Sequence, residues 1–147
     1  MDLSQLFLER HDVLYDFWLC SLWETIPEVL MRQRPHARVN SIAWIIWHLT
    51  RVEDAGLNRF VVDRPQVLDE GAWMQKMDLP WRHNGGEMDL AGVDDLSRRI
   101  HLPALQEYSR AVRQRTREIV LQIDPLDLDA ACGNAALNGL SVRVEQA

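Results

Sequence analysis

The chain has 147 residues, 47% of them hydrophobic and 26% charged, with a formal net charge of −6. That length supports one domain with a real core, and the composition is ordinary for a globular protein. The basic set is scattered, 15 Arg and the single Lys76, and an acidic chain without a basic patch is not expected to partner nucleic acid. No apolar run reaches the roughly 20 residues that span a bilayer. The opening MDLSQLFLERHD lacks the basic and apolar regions of a signal peptide, so no membrane partner and a cytoplasmic location are expected. Cys20 and Cys132 form no CxxC, and reduced thiols are expected.

In chain order, a first helix is predicted from about Ser4 to Thr25, with Ser4 as its N-cap. Its core-facing stripe is Leu3, Phe7, Leu14, Trp18 and Leu22, widened by Leu6, Val13 and Phe17. His11, beside Asp12, is expected to be exposed. Pro27 stops the helix or opens one short extra turn. The polar connector RQRPHAR, 32–38, then hands over to the segment around which the chain is organised.

That segment is NSIAWIIWHLTRVEDAGLNRFVV, 40–62. Asn40-Ser41 can cap a helix. Ile42, Ile45, Ile46, Leu49, Val52, Gly56, Leu57 and Phe60 fall on one face at helical spacing. Glu53 projects into that stripe, and His48 flanks it beside Trp44. A buried acid or imidazole needs a partner, because burial unpaired costs several kcal/mol. From the residues alone, His48 reads as a hydrogen-bonded core histidine. Glu53 reads as a structural carboxylate bound to an Arg of a neighbouring helix.

From Asp63 to Ala91 the chain reads as a long irregular region with a helical turn near Asp69 to Gln75. Trp73 and Trp81 are the expected anchors that hold it on the bundle. Loops of this length are often functional, and His83, in PWRHNGG, can reach a site or simply face solvent. A short helix over Val93 to Ile100 follows, then a long one over about Pro103 to Ile123, with Leu105, Tyr108, Val112, Ile119 and Ile123 inward. The four-Arg group Arg110, Arg113, Arg115 and Arg117 reads as a solvated face. The last stretch, with Gly133 and Gly139, predicts at most a weak helix over 134–146.

The residues NSIAWIIWHLTRVEDAG, NRFVVDRPQVLDEG, PWRH, GEMDLAGVDDLSRRI and LPALQEYSRAVRQRTREIV resemble the DinB-like (YfiT-like) putative metalloenzyme superfamily, over roughly Leu6 to Asp129. The W-H-L-x-R-V-E-D core is the most specific part. The resemblance implies one all-α domain over 1–147, an up-down bundle of the four-helix type whose fourth helix is weak or incomplete here. It also implies a divalent metal (Zn, Ni or Fe) held by one His of the second helix and two of the last. His48 matches the second-helix ligand. The expected H-x-x-x-H pair is absent, since no His follows His101, so the tail from about Ala130 is expected to be truncated or divergent relative to the family.

Two readings follow. In the first, the chain is a metal-dependent transferase that uses a low-molecular-weight thiol, with His48 as metal ligand. Glu53 then lies outside the ligand set and orients the helix, while Trp44, Trp73 and His83 wall a small-molecule pocket. In the second, the bundle has lost its ligands and serves as a non-catalytic dimeric binding or stress-linked module. Homodimers, common in the family, would cover the face that a missing helix leaves bare.

Overall fold

The computed structural model describes residues 2–123, and among the described residues the regular structure is helical throughout. The first helical column begins two residues earlier than Ser4 would place it, with Asp2 as its N-cap. Asp2 accepts from the Gln5 backbone N–H at 2.8 Å and the Gln5 side chain accepts from the Asp2 N–H at 3.2 Å, a reciprocal cap that satisfies two orphan donors. Helix α1 (Leu3–Asp12) passes into a π-helical segment, Val13–Leu19, and then α2 (Cys20–Thr25). Pro27 opens the short α3 (Glu28–Arg32), as its fixed φ allows.

The π-helical turns shift the face that the column presents. Leu8, His11, Tyr15 and Leu19 are buried, whereas Leu3, Phe7, Leu14, Phe17 and Trp18 are exposed. Apart from Leu22, which packs against the core, the predicted core stripe of the first helix therefore lies outside, and His11, expected outside, lies inside.

Ser41 caps α4 (Ile42–Asp54) by accepting from the Trp44 N–H at 3.1 Å, and the helix runs on as a second π-helical segment, Ala55–Val61. Here too the buried face differs in part from the predicted one, which Ile46, buried, and Ile42, packed on the core, do bear out. Ala43, Trp44, Ile46, Trp47, Thr50, Arg51, Asp54 and Asn58 are buried, while Ile45, Leu49 and Val52 are exposed. Asp54 of that face bonds both Arg51 and Asn58, and Thr50 donates to the Ile46 carbonyl, so burial follows hydrogen-bonding as well as hydropathy.

The crossover that follows carries α5 (Val67–Glu70), α6 (Trp73–Lys76) and α7 (Leu90–Arg99), and leads into the 21-residue α8 (Leu102–Gln122), capped by His101. Its length decides topology. Ser41 at the start of α4 meets Ser97 of α7 at 2.7 Å, Arg51 meets Tyr108 at 2.9 Å, and Arg115 meets Asn58 at 3.3 Å. Helices α4 and α8 thus run parallel, as a long crossover permits. Arg113 binds Asp16 at 2.5 Å and Asp12 at 2.8 Å, and Arg117 binds Asp12 at 2.5 Å, which sets α8 antiparallel to the first column. The core between these columns is built on Trp47, Met77, Leu96, Ile100, Leu105 and Tyr108. No helix among the described residues is long and apolar enough to cross a membrane.

Candidate functional site

Three polar clusters lie on or beside α4. The first is wholly buried. Asp54 accepts from the Tyr108 hydroxyl at 2.6 Å, Asn58 Nδ2 at 2.9 Å, Arg51 Nη1 at 3.2 Å, and the backbone N–H groups of Val67 and Leu68 at 2.8 and 3.0 Å. It therefore holds the first N–H groups of α5 across 13 residues of chain, the task of a helix cap. Arg51 turns its other nitrogen to Gln66 Oε1 at 2.8 Å and the Arg82 carbonyl at 2.7 Å. Together the pair ties the crossover to the bundle. Burial pushes the Tyr108 hydroxyl well above its ordinary range, and Asp54 beside it acts the same way, so Tyr108 stays a neutral donor.

The second cluster is centred on Glu53. Its carboxylate accepts from Tyr15 at 2.7 Å and Thr116 at 2.5 Å and lies 2.8 Å from His11 Nε2. Burial raises the Glu53 carboxyl, but the hydrogen bonds from His11, Thr116 and Tyr15 outweigh it and hold the group below the usual range. Glu53 thus bonds an imidazole and two hydroxyls rather than the Arg expected for it. It is a seam between α1, α4 and α8.

The third cluster contains His48. The ring stacks on Trp44 at 4.7 Å between centroids and 15° between planes, and Nδ1 sits 2.5 Å from the carbonyl oxygen of Asn84. A carbonyl only accepts, so Nδ1 carries the proton, and in the neutral form of the ring that leaves Nε2 as the lone pair. The crossover places that carbonyl through a turn that requires glycine. Gly85 has φ +90°, and a Cβ there would come 2.6 Å from the Trp47 ring. Trp44 Nε1 is 3.3 Å from Met88 Sδ, which fixes the indole under the imidazole. His48 is half-buried.

Of the remaining expected site residues, His83 lies beside the His48 turn and Trp73 packs on Tyr108. His83 is exposed, accepts from the Gly85 N–H at 2.9 Å through Nδ1 and meets the edge of Trp47. It shapes the turn beside His48. Trp73 stands elsewhere: it packs on Tyr108 at 5.6 Å, takes the Lys76 ammonium at 4.3 Å, and lines a separate cleft of about 290 Å³ with Val67, Ala111 and Arg115. His101 is committed to capping α8, accepting from the Ala104 N–H at 3.3 Å. Cys132 and the expected fourth helix lie outside the described residues.

A metal ligand His characteristically donates its second nitrogen to a carbonyl, which is the arrangement of His48. One imidazole fits one ligand position. Among the described residues no group of three His, Cys, Asp or Glu could hold an ion, so this donor set does not make a metal site by itself. The sequence reading missed Asn84, whose contribution is a backbone atom, and it missed the Arg51–Asp54 pair. The R-x-x-D spacing in LTRVED was a usable signal for that pair.

The family model of the DinB superfamily matches residues 19–146, past the Asp129 boundary of the resemblance quoted above. The chain belongs to that superfamily. Comparison with curated proteins gives no match.

Proposed function

We propose that this DinB-superfamily chain acts on a small molecule at His48, and that the chemistry is of the thiol S-transferase type. The observation that carries the reading is the locked imidazole. Its Nδ1–H is committed to Asn84, its plane rests on Trp44, and the half-buried ring keeps Nε2 uncommitted within the most family-specific stretch of the chain.

A nitrogen so prepared can accept the proton of a low-molecular-weight thiol. The thiolate is the nucleophile, so it forms the S–C bond with an electrophilic carbon while the leaving group departs with the bonding pair. His48 then returns its proton to the leaving group or to water. A positioned proton acceptor of this kind contributes about 10²- to 10⁴-fold. Trp44 supplies an apolar wall that keeps water from the ring. The DinB resemblance also implies a divalent ion, Zn, Ni or Fe, and His48 Nε2 would be one of its ligands. Residues 2–123 do not supply the others, and an Nε2 that held the ion would have no lone pair left for the thiol proton, so the ion would then take over the lowering of the thiol pKa.

The test is conjugation of a panel of low-molecular-weight thiols to an activated electrophile, with elemental analysis of the same protein. The reading expects turnover that His48→Ala lowers at least about 100-fold with the fold intact by circular dichroism. Turnover unchanged in His48→Ala, or no turnover with any thiol before or after supplementation with Zn, Ni or Fe, would leave His48 a core residue.

A further inference from the structure

His48 and Arg51 stand one turn apart on α4, and each ends on a backbone carbonyl of the same three-residue stretch of the crossover. His48 Nδ1–H donates to the Asn84 carbonyl at 2.5 Å, and Arg51 Nη2–H donates to the Arg82 carbonyl at 2.7 Å. Residues three apart on a helix are neighbours on its surface, so the two side chains clamp 82–84 at both ends. Other polar holds on the stretch are weaker or internal to it. The Arg82 side chain pairs with Asp69 at 2.8 Å but is 61% exposed, and exposed pairs contribute little. The His83 ring bonds within the turn itself, accepting from the Gly85 N–H at 2.9 Å.

Arg51 has little freedom to release its end of the clamp. It is 2% exposed. Nη1 donates to the Tyr108 hydroxyl at 2.9 Å and to Asp54 at 3.2 Å, while Nη2 donates to Gln66 at 2.8 Å as well as to Arg82. All four N–H bonds of the two terminal nitrogens are thus taken, and the planar fork fixes their directions. Nε has no partner, so these four bonds alone orient the guanidinium. The place of the Arg82 carbonyl is therefore set by a buried network that reaches α8 through Tyr108 and α5 through Asp54.

We infer that Arg51 is a positioning residue for His48: by fixing the Arg82 carbonyl it aims the Asn84 carbonyl at Nδ1, and so selects the tautomer that leaves Nε2 free. Which imidazole nitrogen holds the proton is set by the bond that the other makes. Two residues of chain reach about 7 Å. An Arg82 carbonyl released from Arg51 therefore lets Asn84 drift well beyond the roughly 0.5 Å over which an N–H···O bond persists. Arg51 is too deeply buried to meet a substrate, so it acts through the turn. This role also accounts for a charge in so buried a place. An apolar replacement of similar volume often holds a core as well as an ion pair does, but no apolar side chain can hold a carbonyl. The inference rests on the reading of His48 as the proton acceptor, because tautomer selection matters to a ring that reacts, and its test separates the two.

The test is nitrogen-15 NMR of the His48 ring together with thiol-conjugation kinetics, with circular dichroism on each variant of the 147-residue protein. One variant combines Arg51→Met with Asp54→Asn, removing both charges at once, which a buried site tolerates better than the loss of one. A second, Arg51→Lys, keeps the charge beside Asp54 but not the planar fork. In both, the His48 proton should spread over the two ring nitrogens, and kcat should fall about 10- to 100-fold with KM little changed. Glu53→Gln, which disturbs another buried cluster of α4, should keep the wild-type ring signals. Folded Arg51 variants whose His48 holds its proton on Nδ1 alone would overturn the inference, even if turnover fell. So would an equal shift in Glu53→Gln. A shifted tautomer in variants that turn over as fast as the wild type would sustain the link from Arg51 to His48 and refute the reaction proposed for His48.

Discussion

Replacing Asp54 by alanine tests the account of how the crossover is held. The substitution removes a carboxylate that accepts from five donors, the Tyr108 hydroxyl, Arg51, Asn58 and the N–H groups of Val67 and Leu68. It also leaves the Arg51 guanidinium buried without its counter-charge. Removing one partner of a buried ion pair costs about 3–5 kcal/mol, a large share of the roughly 5–15 kcal/mol that holds a domain together. For a chain of this size each kcal/mol lowers Tm by about 2–4 °C, so Asp54→Ala should melt about 6–20 °C lower. Urea unfolding followed by circular dichroism should show a lower midpoint at unchanged slope. Amide exchange at Val67 and Leu68 should rise most, since α5 loses its cap. Arg51→Met in the Asp54→Ala background should recover part of the loss, because it removes the stranded charge. A loss under about 1 kcal/mol for Asp54→Ala would refute this reasoning.

Other outcomes follow from the same geometry. The Glu53 carboxyl is held below its ordinary value in the folded chain, so its contribution is present above the unfolded value of about 4.3. That contribution is lost as pH falls through the lower folded value. Glu53→Gln should therefore be less stable than wild type at neutral pH, and the gap should shrink in thermal melts below about pH 4. Gly85→Ala should destabilise by about 1–3 kcal/mol in denaturant unfolding, because it puts a Cβ in the left-handed region against Trp47. His48→Ala should cost less than about 2 kcal/mol by the same assay, since the ring is half-buried and leaves only the Asn84 carbonyl unpaired. A larger loss would mark His48 as structural.

Much of the architecture was legible in the residues. The Ser41 cap, the stop at Pro27, the break at His101-Leu102-Pro103 and the inward row Leu105, Tyr108, Val112 and Ile119 all lie where the sequence reading expected them. These signals are local, and local chemistry decides them. Which face of each helix is buried was less legible. The first column and α4 both carry an apolar stripe and a second, more polar face. Hydropathy favoured the stripe, while Arg51, Asp54, Asn58 and His11 are inside because each completes a network across another element. No period along one helix carries that information. The parallel course of α4 and α8 follows from the crossover between them, whose path depends on Asp54 capping a helix 13 residues away. At the site, the WHL stretch marked His48 and Trp44 correctly as neighbours. Trp73 was assigned to the same pocket on type alone, and it packs instead on Tyr108.

The central claim is that His48 offers a bare Nε2 because its Nδ1–H is tied to Asn84. Nitrogen-15 NMR of the His48 ring in the 147-residue protein measures this directly. The account predicts a protonated Nδ1 and an unprotonated Nε2 at neutral pH, with the Nε2 resonance moving first when a low-molecular-weight thiol or Zn is added. A proton on Nε2 with Nδ1 bare, or ring resonances that no thiol or metal moves, would contradict it.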